Sequence, residues 1–264
     1  MGEQVTTSRG DVVAYDRLGE GPTVVLVAGA GSLRGDARVV RTTELLAAAG
    51  VTAVVPDRLG RGSSAAEGTL DLDRELEALR AVVDANGGTA VLCGHSSGCS
   101  ISLHAAAAGL PVAGLVLWEA PLAAPAARVA DWVEGLEQRI DAGELEAAQE
   151  WYMRDMPPEW LAGAKASPAW PAIYAGVVAL RADAQSLGWA TEQLESGGLR
   201  DAVTVPVLAT YGSSTQASMV EAADRVRRVL PRTEVREVAG AHHTWEPDAF
   251  APVLATFTRA CLPG

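Results

Sequence analysis

Gly94-His95-Ser96-Ser97-Gly98 sets a serine between two glycines at the spacing of a nucleophile. Residues 89–93 before it read as a buried strand, and residues 97–108 after it as a small-residue helix. The five residues therefore sit in the strand–turn–helix setting in which G-x-S-x-G lifts a hydroxyl out of a sharp turn. Side chains flanking so tight a turn would clash, and Gly94 and Gly98 carry none. The helix start behind the turn offers free N–H groups and the positive end of a dipole. Ser96 holds the central position and is the expected nucleophile; the Ser97 N–H is an expected donor to an oxyanion. His95 and His104 are expected to pack, because neighbours on a tight turn diverge and His104 lies two turns along the helix.

A serine alcohol needs a base near neutral pH. His242 and His243, in Ala239-Gly240-Ala241-His242-His243, follow the last strand pattern and either could serve. An acid must orient that base. Glu119 stands directly after the strand pattern of residues 112–118, 23 residues beyond Ser96 and at the same carboxyl edge of a sheet. Asp57 is its rival, and Glu246 lies too near His243 in sequence to orient it.

These side chains need a scaffold that brings strand ends together. Short strand patterns open the chain at residues 5–7 and 12–17. Continuous apolar runs at 23–28, 51–55, 89–93 and 112–118 alternate with helical patterns at 37–49, 70–85 and 97–108. Runs of that kind suit strands buried on both faces, and their alternation with helices implies a doubly wound, mostly parallel sheet. The rhythm breaks from Leu122 to about Val203, where the pattern is helical, irregular and interrupted by five prolines. It resumes with a strand at 206–211, a helix at 219–230, a strand at 234–238 and a last helix at 247–260. The expected organisation is an α/β core of residues 1–121 and 204–264, with a helical lid of residues 122–203 inserted in it.

Composition narrows the partners. The 264 residues are 48% hydrophobic and 20% charged with a net charge of −12, which fits a globular chain with a large core and disfavours nucleic-acid binding. The N-terminal residues lack an apolar signal core, and no run approaches the roughly 18–20 apolar residues of a membrane span. The three cysteines, Cys93, Cys99 and Cys261, have no metal-ligand spacing and suit a reducing compartment, so a cytoplasmic location with no membrane partner is expected.

With the serine elbow in place, the chain resembles the α/β-hydrolases, specifically lid-bearing esterases and lactonases. Pro56-Asp57-Arg58-Leu59-Gly60-Arg61-Gly62-Ser63-Ser64 resembles that family's D-x-x-G-x-G-x-S loop, which assigns Asp57 a structural place. Ala28-Gly29-Ala30 stands where many members carry His-Gly-x. The resemblance implies that the Ala30 N–H is the second oxyanion donor, with Gly31 as the fallback, and that His243, ending a G-x-x-H pattern, is the base rather than His242. It also exposes a departure. Most members place an Asp in a G-x-x-D pattern after the strand at 206–211, and this chain has Gly212-Ser213-Ser214-Thr215. A subset including zearalenone-type lactonases carries its acid one strand earlier, which is the position of Glu119. The order Ser96, Glu119, His243 is the nucleophile–acid–base order of this fold.

The chemistry implied is cleavage of a hydrophobic carboxylic ester, or more sharply a lactone, through an acyl-enzyme, with no metal or organic cofactor. Acyl transfer including macrolactone closure, carbon–carbon bond cleavage, and a non-catalytic ligand-binding role are the alternatives. Five of the seven tryptophans, Trp132, Trp151, Trp160, Trp170 and Trp189, fall in the inserted block. Most are expected to pack it onto the core, with one or two lining the substrate pocket.

Overall fold

The computed structural model describes residues 2–263; the outermost residue of each expected core segment, Met1 and Gly264, lies outside them. Nine strands form one sheet in the order β1-β2-β4-β3-β5-β6-β7-β8-β9. They are β1 (Gly2–Thr6), β2 (Val12–Leu18), β3 (Thr23–Val27), β4 (Thr52–Pro56), β5 (Ala90–His95), β6 (Val112–Trp118), β7 (Val207–Ser214), β8 (Thr233–Ala241) and β9 (Thr244–Trp245). The run from β4 through β8 is parallel, and β1, β2 and β9 pair antiparallel at the two ends. This is the α/β-hydrolase fold, with helices on both faces of the sheet.

The apolar runs sit where continuous hydrophobicity requires, between two layers. Along β3, Val25 and Val27 pack into one core and Val24 and Leu26 into the other. Along β6, Leu115 and Leu117 divide from Val116 and Trp118 in the same way. The period of two carries alternate residues to opposite faces, and both faces are covered. Helices α1 (Ala37–Ala48) and α11 (Pro247–Cys261) cover one face, α2 (Leu72–Ala85) and α3 (Ser97–Ala107) the other. Helix α2 starts two residues later than its leucine pattern, because the Asp71 side chain accepts from the Arg74 N–H at 3.0 Å and caps it.

Several strand boundaries differ from the sequence reading, among them three at the sheet edge or the site. Strand β1 covers Gly2–Thr6, where its five-residue register with β2 at the sheet's edge recruits the exposed polar residues Glu3 and Gln4. Strand β7 runs on to Ser214, through a register shift against β8 between Gly212 and Ser214. The short β9 folds back on the end of β8 by pairing Gly240 with Trp245 and Ala241 with Thr244. Both of the latter changes lie beside the histidine turn.

Between β6 and β7 the chain is helical: α4 (Ala126–Asp141), α5 (Leu145–Met153), α6 (Pro158–Ala166), α7 (Trp170–Ala175), a 3₁₀ helix (Gly176–Leu180), α8 (Arg181–Ser196) and α9 (Leu199–Ala202). After these, α10 (Ala217–Val229) connects β7 to β8. Helix α8 packs on α3, where the Ser100 and Ser186 hydroxyls meet at 2.8 Å. Among the described residues no helix is long and apolar enough to cross a membrane.

Candidate active site

Ser96 occupies the N-cap of α3 with φ 54° and ψ −125°. A serine at an N-cap ordinarily binds the helix's own N–H groups. This one makes no capping bond, so its left-handed backbone leaves the hydroxyl directed elsewhere. The elbow has no room for larger neighbours. A Cβ on Gly94 would come within 2.5 Å of the Gly98 carbonyl oxygen, and one on Gly98 within 2.1 Å of the Val27 oxygen. The turn is braced from β6, whose Trp118 carbonyl accepts the Ser96 N–H at 3.0 Å and the Cys99 thiol at 3.3 Å.

Four non-glycine residues have positive φ among the described residues: Ser96, Glu119, His242 and His243. All four line one cavity of about 610 Å³ at the carboxyl edge of the parallel strands. Left-handed backbone in such residues costs about 1–3 kcal/mol each and persists only where the surroundings over-determine it. Its confinement to one cavity marks the place where local conformation is dictated by something other than stability.

The expected base and acid are joined. The Glu119 carboxylate Oε2 accepts from His243 Nδ1 at 2.6 Å, and its Oε1 accepts from the Gly212 N–H at 2.9 Å. Both oxygens are thus assigned while the side chain is 1% exposed. Burial pushes the Glu119 carboxyl up, but hydrogen bonds from His243, Thr215 and the Gly212 N–H outweigh it and hold it below its ordinary value. The residue is therefore an anion at neutral pH. Gly212 has to be glycine for this approach, since a Cβ there would meet Glu119 Oε1 at 3.1 Å and the Gly240 oxygen at 2.8 Å. The segment that lacks an acid therefore still serves one: Gly212 donates its N–H to the carboxylate, and the Thr215 hydroxyl helps hold the carboxyl's pKa down. Sequence reasoning assigned neither a role, although the retained glycine of the G-x-x-D pattern was the available signal.

Because a carboxylate only accepts, His243 Nδ1 carries the proton, and in the neutral imidazole Nε2 is the acceptor. Of the two hydrogen bonds that a serine–histidine–acid arrangement needs, the structure closes this one, and it brings Ser96 and His243 to the same cavity. His242 is the more exposed of the two histidines and also borders the cavity. Asp57 lies outside it. That carboxylate is taken by the Arg34 Nε at 3.0 Å, the Arg34 N–H at 3.1 Å and the Ser63 N–H at 2.9 Å, so it closes its own loop.

His95 packs, and does more. Its Nε2–H donates to the His243 carbonyl at 2.9 Å, and its ring lies 5.1 Å from that of His243 and edge-on to Trp245 at 5.3 Å. Burial and the neighbouring His243 pull its pKa down to about 4, so it is neutral at pH 7. His104 stacks on Trp189 at 4.0 Å, well away from this cluster.

Ala30 and Ser97 both border the cavity. The Ser97 N–H, at the first position of α3, has no partner within the helix. Gly29 lets the β3 loop approach the elbow, for a Cβ there would fall 2.8 Å from both the His95 oxygen and the Ser96 Cβ.

Trp132 and Trp160 line the cavity wall, together with Val129, Met156, Leu187 and Met219. The other three tryptophans hold the helical segment together or tie it to α3. Trp151 lies between the guanidinium groups of Arg139 and Arg154, at 3.9 and 3.7 Å, and exchanges indole–carbonyl hydrogen bonds with Trp132. Trp170 is buried and donates to Glu146 at 2.7 Å. Trp189 is the stacking partner of His104. Among the described residues no group of three or more His, Cys, Asp or Glu side chains converges as metal ligands would. Cys93, Cys99 and Cys261 are free thiols.

The pattern of the alpha/beta hydrolase family matches residues 24–253. The chain belongs to that family. An alpha/beta hydrolase from Sphaerobacter thermophilus is 32% identical and superposes with a TM-score of 0.80, over 97% of this chain and 99% of that one. A thermophilic esterase from Thermogutta terrifontis is 20% identical with a TM-score of 0.67, over 99% of both chains. A haloalkane dehalogenase loop variant from Bradyrhizobium elkanii is 18% identical with a TM-score of 0.65, over 99% of this chain and 97% of that one. No curated protein matches this α/β-hydrolase. The two more distant likenesses establish the fold that this hydrolase shares with them.

Proposed function

We propose that the protein is a serine hydrolase of carboxylic esters, lactones among them, working through an acyl-enzyme. The observation that carries this reading is the His243–Glu119 hydrogen bond of 2.6 Å in the cavity that also holds the strained Ser96. His243 Nε2 takes the Ser96 proton as Oγ attacks the ester carbonyl, and Glu119 stabilises the imidazolium that forms. The Ser97 and Ala30 N–H groups receive the oxyanion, each worth roughly 10²–10³ in rate by comparison with other oxyanion donors. The imidazolium then protonates the departing alkoxide, and water activated by His243 releases the acid. A serine nucleophile disfavours haloalkane chemistry, which needs a carboxylate to form an alkyl-ester intermediate.

Residues 122–203 act in this proposal as the lid of the core formed by residues 1–121 and 204–264. Trp132 and Trp160, with Val129, Met156, Leu187 and Met219, favour an apolar acyl or alcohol group. The polar rim at Arg128 and Asp155, paired at 2.7 Å, tolerates a hydrated end of the substrate. A panel of esters and lactones of graded size tests the reading, with intact-mass analysis of the product. Gain of one water per turnover is expected without an added acceptor. Products that appear only with an acceptor alcohol, or carry it covalently, would assign acyl transfer instead.

His95 makes a separate prediction. His95→Phe keeps a ring between His243 and Trp245 but removes the N–H that holds the His243 carbonyl. A small misplacement of a reacting group costs up to about 10² in rate. The expected result is a fall in kcat of roughly 10- to 100-fold with KM little changed, read from steady-state hydrolysis of a p-nitrophenyl ester on protein shown by circular dichroism to be folded. Wild-type kcat would remove His95 from the support of the base.

A further inference from the structure

A buried ionic cluster lies behind the site, and the chemistry proposed above makes no use of it. Asp183, in the first turn of α8, is wholly inaccessible. Its carboxylate accepts from Arg58 at 2.8 and 3.2 Å, from Arg61, and from the Ser97 hydroxyl at 2.5 Å. Arg58 is also held by Glu75 at 2.8 Å. The two arginines do not stop at carboxylates. Arg58 donates to the Ala28 carbonyl at 3.1 Å and Arg61 to the Gly29 carbonyl at 3.0 Å.

Those contacts bear on direction. In a trans peptide the C=O and the N–H point opposite ways. With the Gly29 carbonyl fixed toward Arg61, the Ala30 N–H of the same peptide is turned away from the arginines. Ala30 itself borders the cavity. On the other side, the Ser97 hydroxyl fastened to Asp183 fixes the residue that opens α3. One carboxylate therefore anchors both strips of backbone that meet at Ser96. We propose that Asp183 is a positioning residue that presets the oxyanion-binding N–H groups of Ala30 and Ser97, so that seating α8 on the core assembles the hole. This rests on the serine-hydrolase reading.

Preset donors count in the transition state more than in binding, because their orientation is fixed before charge develops. The test uses a fluorophosphonate, whose attack by Ser96 builds charge on the phosphoryl oxygen. The rate constant of inactivation, kinact, is separated from the binding constant, KI. Asp183→Asn keeps size and removes the charge that holds both arginines. Ser97→Ala keeps the backbone N–H and every arginine contact, and removes only the anchor of one donor, so it decides the matter if Asp183→Asn fails to fold. Asp11→Asn, which breaks the remote pair between Asp11 and Arg74 (2.7 Å), controls for lost stability. The proposal expects kinact to fall roughly 10- to 100-fold in Asp183→Asn and by a smaller factor in Ser97→Ala, with KI within about twofold of wild type in both. Asp11→Asn should lower Tm and leave kinact alone. Wild-type kinact in folded Ser97→Ala and Asp183→Asn, or an effect confined to KI, would overturn it while leaving the hydrolase reading intact. A wild-type protein that the probe does not label at Ser96 would overturn both.

Discussion

Ser96→Ala removes covalent labelling by a fluorophosphonate and lowers ester turnover by roughly 10⁶-fold, the scale on which loss of a triad nucleophile acts. The change deletes one oxygen. Ser96 makes no capping bond to α3, so no helix-stabilising contact is lost with it. Its backbone strain stays, since alanine at φ 54° is no more comfortable than serine. Folding and Tm are expected to remain near wild type while the chemistry disappears. What remains should be a small rate above water, supplied by the backbone N–H donors, which the substitution does not touch. The check is mass spectrometry of the labelled protein beside hydrolysis of a p-nitrophenyl ester. Persistent labelling at Ser97 would move the nucleophile by one residue; turnover within tenfold of wild type would remove a serine nucleophile altogether.

Glu119→Gln is the second large effect, and the structure gives its sense. The Gly212 N–H points at Oε1 and must have an acceptor there. A glutamine at this position therefore turns its carbonyl oxygen to Gly212 and presents its NH₂ to His243. Facing a donor, Nδ1 becomes the acceptor and the ring proton moves to Nε2, the atom that has to take the Ser96 proton. The histidine stays in place in the wrong tautomer. A loss of roughly 10³–10⁴ in kcat is expected, as for loss of the acid in other triads. The fold should hold, because the substitution is isosteric and removes a buried charge rather than stranding one. Normal turnover in folded Glu119→Gln would mean that the acid lies elsewhere.

The sheet and its elbow were legible because their signals are local. Apolar runs such as Thr23–Val27 have to be buried on both sides, and Gly94 and Gly98 announce the close contacts that the structure contains. Ser96, Glu119 and His243 were legible as strand-end residues, since a parallel sheet carries every such end to one edge. The supports were not. Gly212 touches Glu119 from 93 positions away, and Asp183 reaches Ser97 from 86. Nothing in local spacing encodes a contact of that range. The tryptophans divide partly for the same reason: Trp132 borders the cavity, whereas Trp151 lies between Arg154, three residues on at the end of its own helix, and Arg139 of the neighbouring α4, which only the packing of the two helices brings there.

The four left-handed residues around the cavity have a meaning for how such a chain evolves. At Ser96, Glu119, His242 and His243 a glycine would relieve the backbone, and selection for stability alone would favour it. In the proposed enzyme, the side chains of Ser96, Glu119 and His243 set the fold and the chemistry in direct opposition at three of these positions. Tolerance to mutation elsewhere in the sheet therefore has to be wide enough to carry them, and substitutions that stabilise the distant core would widen the range of chemistry this edge can explore.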